Sequence, residues 1–372
     1  MRHGALPRED ARKKNSTKRK RSVSRRGFLA GTAATGAAVA GPLILTPGLA
    51  KAAPKLVFAL WGGNYQEAME AAFLKPFTKE TGIEVVVAGA PDMAKVRAQI
   101  KSKTIEWDLI IPTSGWLTAG EKEGVWEPID FKQVDMSDTM PGSRRNHSVA
   151  YITVAGGIAY HQDRNGAEGK HPTTFAEFWN PAKFPGRRGL RTRPSETLEM
   201  ALLGDGVPPD KVYPMDVDRA FKALDKLKPH INQWISATPK TIELILQNET
   251  DFTYSYNGRI FAFRKQGLPV NFSYKQNLLF MDWVTIIKGA PNKDAAMRLV
   301  AYIMKPEAQT AFGNIIAYSP TKLKAIEKCD ADVKKFFPDM NNPNHLNVTL
   351  HMDWWTEREE ELQKRFKEWQ IT

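Results

Sequence analysis

One cysteine, Cys329, is all that 372 residues contain, so no disulfide can form within the chain. Stability must come from buried apolar surface, and a chain of this length can build two cores. Catalytic signatures are missing as well: there is no H-E-x-x-H, no G-x-S-x-G and no phosphate-cradling glycine-rich loop. The seven histidines are scattered, and although His147, His161 and His171 could meet in space, no ligand spacing favours a metal. An enzyme would need reacting groups that the sequence does not display, and neither a cofactor nor a metal is expected.

Charge of one sign is plentiful overall, with a formal +12, but it is local. Twelve of the 53 basic residues and two of the 41 acidic ones precede Ala53, a net +10, which leaves 41 basic and 39 acidic residues, or +2, beyond it. The nucleic-acid reading that a basic chain invites therefore loses its support. Within that basic leader, Ser24-Arg25-Arg26-Gly27-Phe28-Leu29 precedes an uncharged stretch from Gly27 to Ala50 that ends in Ala50-Lys51-Ala52. Two arginines, an apolar region and an A-x-A site predict a twin-arginine export signal over residues 1–52, cleavage before Ala53 and a periplasmic protein. An uncleaved anchor is the alternative, though Pro42, Pro47 and the glycines make a poor spanning helix.

Past the leader, Lys55 to Leu60 reads as a buried strand ending at Gly62-Gly63. A helix follows, with Asn64 as its cap, Ala68, Met69, Ala72 and Phe73 at helical spacing, a kink at Pro76 and a stop at Gly82. Ile83–Val87 predicts a second strand, Met93–Ser102 a helix and Trp107–Ile111 a third strand. This alternation argues an α/β domain with a largely parallel sheet, whose ligands gather at the carboxyl ends of the strands. By that rule Trp61, Gly62, Gly63 and Thr113 sit at a binding edge. Val149–Tyr160 and Leu278–Ile287 are long extended runs suited to crossing between two lobes. Between them lie a strand near Arg188–Arg191, helices at Ser195–Leu203, Asp216–Leu227 and Pro239–Gln247, and the strand Phe252–Tyr256 before an Asn257-Gly258 turn. The expected organisation is lobe 1 over 53–153 plus 280–320, lobe 2 over 154–279, and a C-terminal helical segment, 321–372, packed on one lobe. Glu357-Arg-Glu-Glu-Glu-Leu-Gln-Lys364 in that segment reads as a solvated surface helix.

The order of signatures resembles the extracellular solute-binding proteins of ABC importers, in particular the spermidine/putrescine-binding group. The matching stretches are Phe77-Thr-Lys-Glu-Thr-Gly-Ile83, Trp107-Asp-Leu-Ile-Ile-Pro112, Glu123-Gly124 with Pro128-Ile-Asp130, and Phe175-Ala-Glu-Phe-Trp-Asn-Pro181. Leu224-Asp-Lys-Leu-Lys-Pro229, Tyr256-Asn-Gly258, Phe280-Met-Asp-Trp283 with Asn292-Lys-Asp294, and Tyr318-Ser-Pro320 continue the series. The resemblance implies a type II Venus-flytrap fold, two α/β lobes closing on a small amine, and delivery of that amine to an inner-membrane ABC permease. The protein is expected to act as a monomer and to meet the twin-arginine translocase during export.

That family grips ammonium groups with carboxylates and aromatic faces. Position by position, the resemblance assigns ligand contacts to Asp282, Phe280, Tyr256, Glu196, Trp61 and Thr113. A tryptophan or phenylalanine is as readily core as platform, and Glu196 near a helix start is also favourable with the dipole. Asp282 differs, because an acid in an apolar strand needs a partner or water. Two departures from the polyamine pattern stand out: Gly62-Gly63 and Arg191-Thr-Arg193 occupy places where the group often has acids. Glycines at a helix start suit an anion, and an arginine grips a carboxylate with two bonds. A zwitterion such as γ-aminobutyrate is therefore expected alongside polyamines, its amine at Asp282 and Glu196, its carboxylate at Arg193 or the Gly62-Gly63 turn. A ferric-ion carrier of the same fold is the nearest alternative: Tyr254 and Tyr256 would share a strand face, yet no two tyrosines are adjacent in the chain. An exported structural or adhesive protein is the alternative of another class.

Overall fold

The structure, a computed structural model, describes residues 55–338 and 346–372. The expected export signal lies outside the described residues. Eight strands form the spine of a larger sheet: β1 (Lys55–Ala59), β2 (Glu84–Val87), β3 (Leu109–Ile110), β4 (Ser148–His161), β5 (Arg188–Arg191), β6 (Ile231–Ile235), β7 (Phe252–Tyr256) and β8 (Leu278–Ile286). Their spatial order is β2-β1-β3-β8-β4-β7-β5-β6. β1 pairs in parallel with β2 and β3, and β5 in parallel with β6 and β7. Those are the sheets of two lobes, each built from strand-helix alternation.

β8 and β4 run antiparallel from Leu278 opposite Gly156 to Thr285 opposite Ser148. At one end Thr285 and Ile286 pair with β3, and at the other Gly156 to Tyr160 pair with β7. The two long strands thus pass between the lobes. Every residue of β4 is buried, as expected of an apolar run covered on both faces. The ladder slips between Asp282 and Trp283, where Ile152 and Ala150 are the partners and Tyr151 is passed over. Such a bulge re-aims side chains locally.

Local details refine the sequence reading. Gly63, at φ 71°, occupies the cap of the first helix, Asn64–Met69, and the Asn64 amide instead donates to the Arg259 carbonyl at 3.0 Å. Pro76 produces no sharp break: a wide π turn, Glu70–Leu74, precedes it and the helix continues over Lys75–Thr81. Gly82 then stops it in the left-handed region at φ 71°. Asn257-Gly258 is not a turn but the start of the helix Asn257–Lys265. The Asn257 side chain accepts from the Ala155 amide and donates to the Ala317 carbonyl, each at 3.0 Å, tying β7 to its neighbours. A Cβ on Gly258 would fall 2.3 Å from the Ile316 carbonyl oxygen, so only glycine permits that approach.

The C-terminal segment departs most from expectation. Rather than resting on one lobe as a solvated helix, it touches both. Its helices Met352–Thr356 and Glu359–Ile371 bury Trp354, Trp355, Leu362 and Phe366. Phe366 and Trp369 meet Trp234 and Phe221 of lobe 2 with ring centroids 5.6–6.3 Å apart. Glu360 pairs with Arg97 of lobe 1 at 2.5 Å. The acidic run misled because its apolar residues, Leu362, Phe366 and Trp369, mark a stripe lying mostly beyond it. Among the described residues no helix is long and apolar enough to cross a membrane.

Candidate ligand site

The carboxyl ends of the strands converge on one cleft, as the topology requires. Trp61 follows β1, and Pro112, Thr113, Ser114 and Gly115 follow β3. Arg193, Ser195 and Glu196 follow β5, Thr238 follows β6, and Tyr256 and Arg259 close β7 and open the next helix. The crossing strands add Val154, Phe280 and Asp282, and the chain's last third adds Tyr318, Leu350, Trp355 and Glu359. The cleft holds about 770 Å³ of empty space, part of it open to solvent.

Of the residues singled out from sequence, Trp61, Thr113, Arg193, Glu196, Tyr256, Phe280 and Asp282 all line this cleft. Gly62 and Gly63 do not. The Gly62 carbonyl accepts from Arg259 Nη1 at 2.8 Å, so the glycine turn turns an acceptor to a cation instead of offering free N–H groups to an anion. Gly63 is needed for its positive φ and for closeness, since a Cβ there would lie 3.0 Å from Pro239 Cγ. Arg191 is also absent from the lining: it is buried, donates to the Ser236 carbonyl at 3.1 Å, and burial pulls its pKa down to about 10.

Arg193 and Glu196 face each other. Arg193 Nη2 donates to Glu196 Oε2 at 2.6 Å, and the Tyr256 hydroxyl donates to the same oxygen at 2.9 Å. Arg193 also contacts the Tyr256 hydroxyl directly. Glu196 holds φ 72°, a strained setting for a residue with a side chain, of the kind that collects at ligand sites. Most of the charge of each partner is thus answered by the other.

Asp282 is less satisfied. Its Oδ2 accepts from the Tyr65 hydroxyl at 3.2 Å, and that hydroxyl also meets Tyr151, the residue passed over at the bulge. Burial lifts its pKa to about 6, opposed by the Tyr65 bond and by the nearby Arg259 charge. Phe280 stands edge-on to Tyr256, with centroids 5.9 Å apart, and the pair walls the cleft.

Arg259 was not singled out from sequence. Its guanidinium lies 5.4 Å over the Tyr65 ring, donates to Gly62 and to Asn64 Oδ1 at 3.3 Å, and has no salt bridge among the described residues. A lone cation within Tyr256-Asn-Gly-Arg-Ile-Phe-Ala-Phe263 was the available signal, since a charge in an apolar stretch needs a purpose. Glu359 and Trp355 were missed too, and no local pattern marks them. Tyr254 is on the strand beside Tyr256, its ring 5.6 Å away, but it is outside the lining, with its hydroxyl against Gly156. Among the described residues no three histidine, cysteine, aspartate or glutamate side chains cluster as a metal site.

Two α/β lobes joined by two strands, with side chains of both turned into one cleft, define a protein built to enclose a small solute. The chain belongs to the bacterial extracellular solute-binding protein family, which it matches over residues 72–338. It is 32% identical over 318 residues to the γ-aminobutyric acid-binding protein of Pseudomonas aeruginosa, covering 83% of this chain and 89% of that one. The spermidine/putrescine-binding periplasmic protein of Escherichia coli is 26% identical over 290 residues, 74% of this chain and 82% of that protein. Among solved structures, PBP AgtB of A. tumefaciens R10 in complex with agropinic acid superposes with a TM-score of 0.79 at 29% identity, covering 86% of this chain and 99% of that chain. Within this family the protein is a solute-binding component of an ABC transporter.

Proposed function

We propose that this protein captures a small zwitterion, an amino compound of the γ-aminobutyrate kind, in the periplasm after twin-arginine export, and presents it to the permease. The observation that carries the reading is Arg259, a cation in the cleft without a carboxylate partner among the described residues. A ligand carboxylate supplies what it lacks, by charge-assisted hydrogen bonds. Asp282, held by one hydroxyl, receives the ligand's ammonium group, and Phe280 and Tyr256 cover its methylenes. The P. aeruginosa relative named for γ-aminobutyrate supports the same class.

A polyamine is the second reading, favoured by three cleft carboxylates, Glu196, Asp282 and Glu359. Arg193 and Arg259 oppose it, because a dication would have to share the cavity with both. A thermal-shift panel of γ-aminobutyrate, basic amino acids, betaines, putrescine and spermidine separates the two. At about a hundred times its dissociation constant a zwitterion should add roughly 2.7 kcal/mol, and Arg259→Gln should remove that gain. Stabilisation by putrescine or spermidine alone would replace this reading with the polyamine one.

A further inference from the structure

Glu359 reaches the cleft from a part of the chain beyond the family match, which ends at residue 338. It lies 246 residues from Thr113, whose hydroxyl donates to its Oε1 at 3.5 Å. Beneath it Gly115 leaves a hollow: a Cβ there would sit 1.7 Å from Glu359 Oε2 and 2.8 Å from Cδ. The carboxylate therefore occupies a seat that exists only because residue 115 is glycine.

Neighbours on both sides hold it there. Trp355, four residues earlier, donates from Nε1 to Glu199 Oε1 at 2.6 Å in lobe 2, and Glu360 pairs with Arg97 in lobe 1. Yet Glu359 itself makes one long hydrogen bond and no salt bridge among the described residues. An ionised carboxylate offers about four acceptor sites, and Glu196 across the cleft uses one oxygen for two donors. Glu359 has acceptor capacity left, and it lines the cavity.

We propose that Glu359 is a ligand-binding residue, carried into the cleft by the C-terminal segment to accept hydrogen bonds from an ammonium group of the ligand. The proposal rests on the ammonium-bearing ligand class argued above. It makes the C-terminal segment part of the recognition surface, and it gives the cleft a second unshared acid beside Asp282. Burial raises the Glu359 pKa to about 7, against the pull of Arg193, the Thr113 bond and Arg97, while Glu360 adds to the rise. Near neutral pH the group is then partly protonated, and a cation bound against it must expel that proton.

The test is calorimetric titration of the full chain at pH 7 with γ-aminobutyrate, ornithine, putrescine and spermidine, each in two buffers of different ionisation enthalpy. For whichever compound the wild type holds most tightly, binding should release about half a proton. Glu359→Gln should weaken that binding at least about tenfold and remove most of the release. Gly115→Ala, which evicts the carboxylate without altering it, should reproduce the affinity loss. Unchanged affinity in Glu359→Gln overturns the proposal, and so does weaker binding with an unchanged proton count, the mark of a merely structural role. If the wild type takes only putrescine or spermidine, the zwitterion reading falls while the same comparison still decides Glu359. If it takes none of the four, both fall.

Discussion

Replacing Asp282 by asparagine should make the empty protein more stable while destroying its function. Folding raises the carboxyl from 3.8 to about 6, chiefly by burial, so the folded state disfavours the charged form. A group whose pKa is raised on folding binds more protons in the folded than in the unfolded state, and stability is lost as pH rises from the unfolded value through the folded one. The shift of about two units corresponds to roughly 3 kcal/mol at 1.36 kcal/mol per unit. That cost is absent near pH 3.5 and complete above about pH 6.5.

Asparagine keeps the shape and can still accept from the Tyr65 hydroxyl, yet carries no charge to desolvate. Denaturant unfolding of ligand-free wild type and Asp282→Asn at pH 4, 5.5 and 7.5 measures the difference directly. It should be small at pH 4 and reach about 3 kcal/mol in favour of the variant at pH 7.5. Other raised acids, Glu199 and Glu359, are common to both proteins and cancel. The variant should also lose the stabilisation that an ammonium ligand confers on the wild type. A variant less stable than wild type at pH 7.5, or a difference independent of pH, would refute the view that Asp282 is a desolvated acid waiting for a cation.

Trp355→Phe should destabilise the protein by about 2 kcal/mol, because the indole donates to buried Glu199 and bonds to charged groups are worth about 1.5–3 kcal/mol. Glu199 already titrates near 7 through burial, and losing a bond to its ionised form raises that value, so the deficit should grow between pH 6 and 8 in unfolding experiments. Gly63→Ala should cost about 1 kcal/mol or more through its positive φ. It should also weaken ligand binding by crowding Arg259, whose Nη1 would lie 3.3 Å from the new methyl, and calorimetry reads that loss.

Much of this molecule was legible along the chain. Met93–Ser102 and Phe252–Tyr256 fall on their expected helix and strand, because helical and strand periodicities are properties of neighbouring residues. Asp282 stood out because an acid in an apolar strand carries a penalty that local context reveals. Asn64 and Asn257-Gly258 were misread for the converse reason. Their preferred local roles, a cap and a turn, lost to partners far along the chain at Arg259, Ala155 and Ile316.

By itself the sequence determined two α/β lobes with crossing strands through short-range pattern, and its resemblance to a known family pointed to an aromatic-lined cleft holding an acid. Tertiary structure alone decided how the charges are shared. It paired Arg193 with Glu196, left Arg259 without an acid among the described residues, and bent the C-terminal segment back so that Glu359 sits over Gly115. Electrostatic energy depends on distance through space, and no spacing along the chain reports the distance between residues 113 and 359.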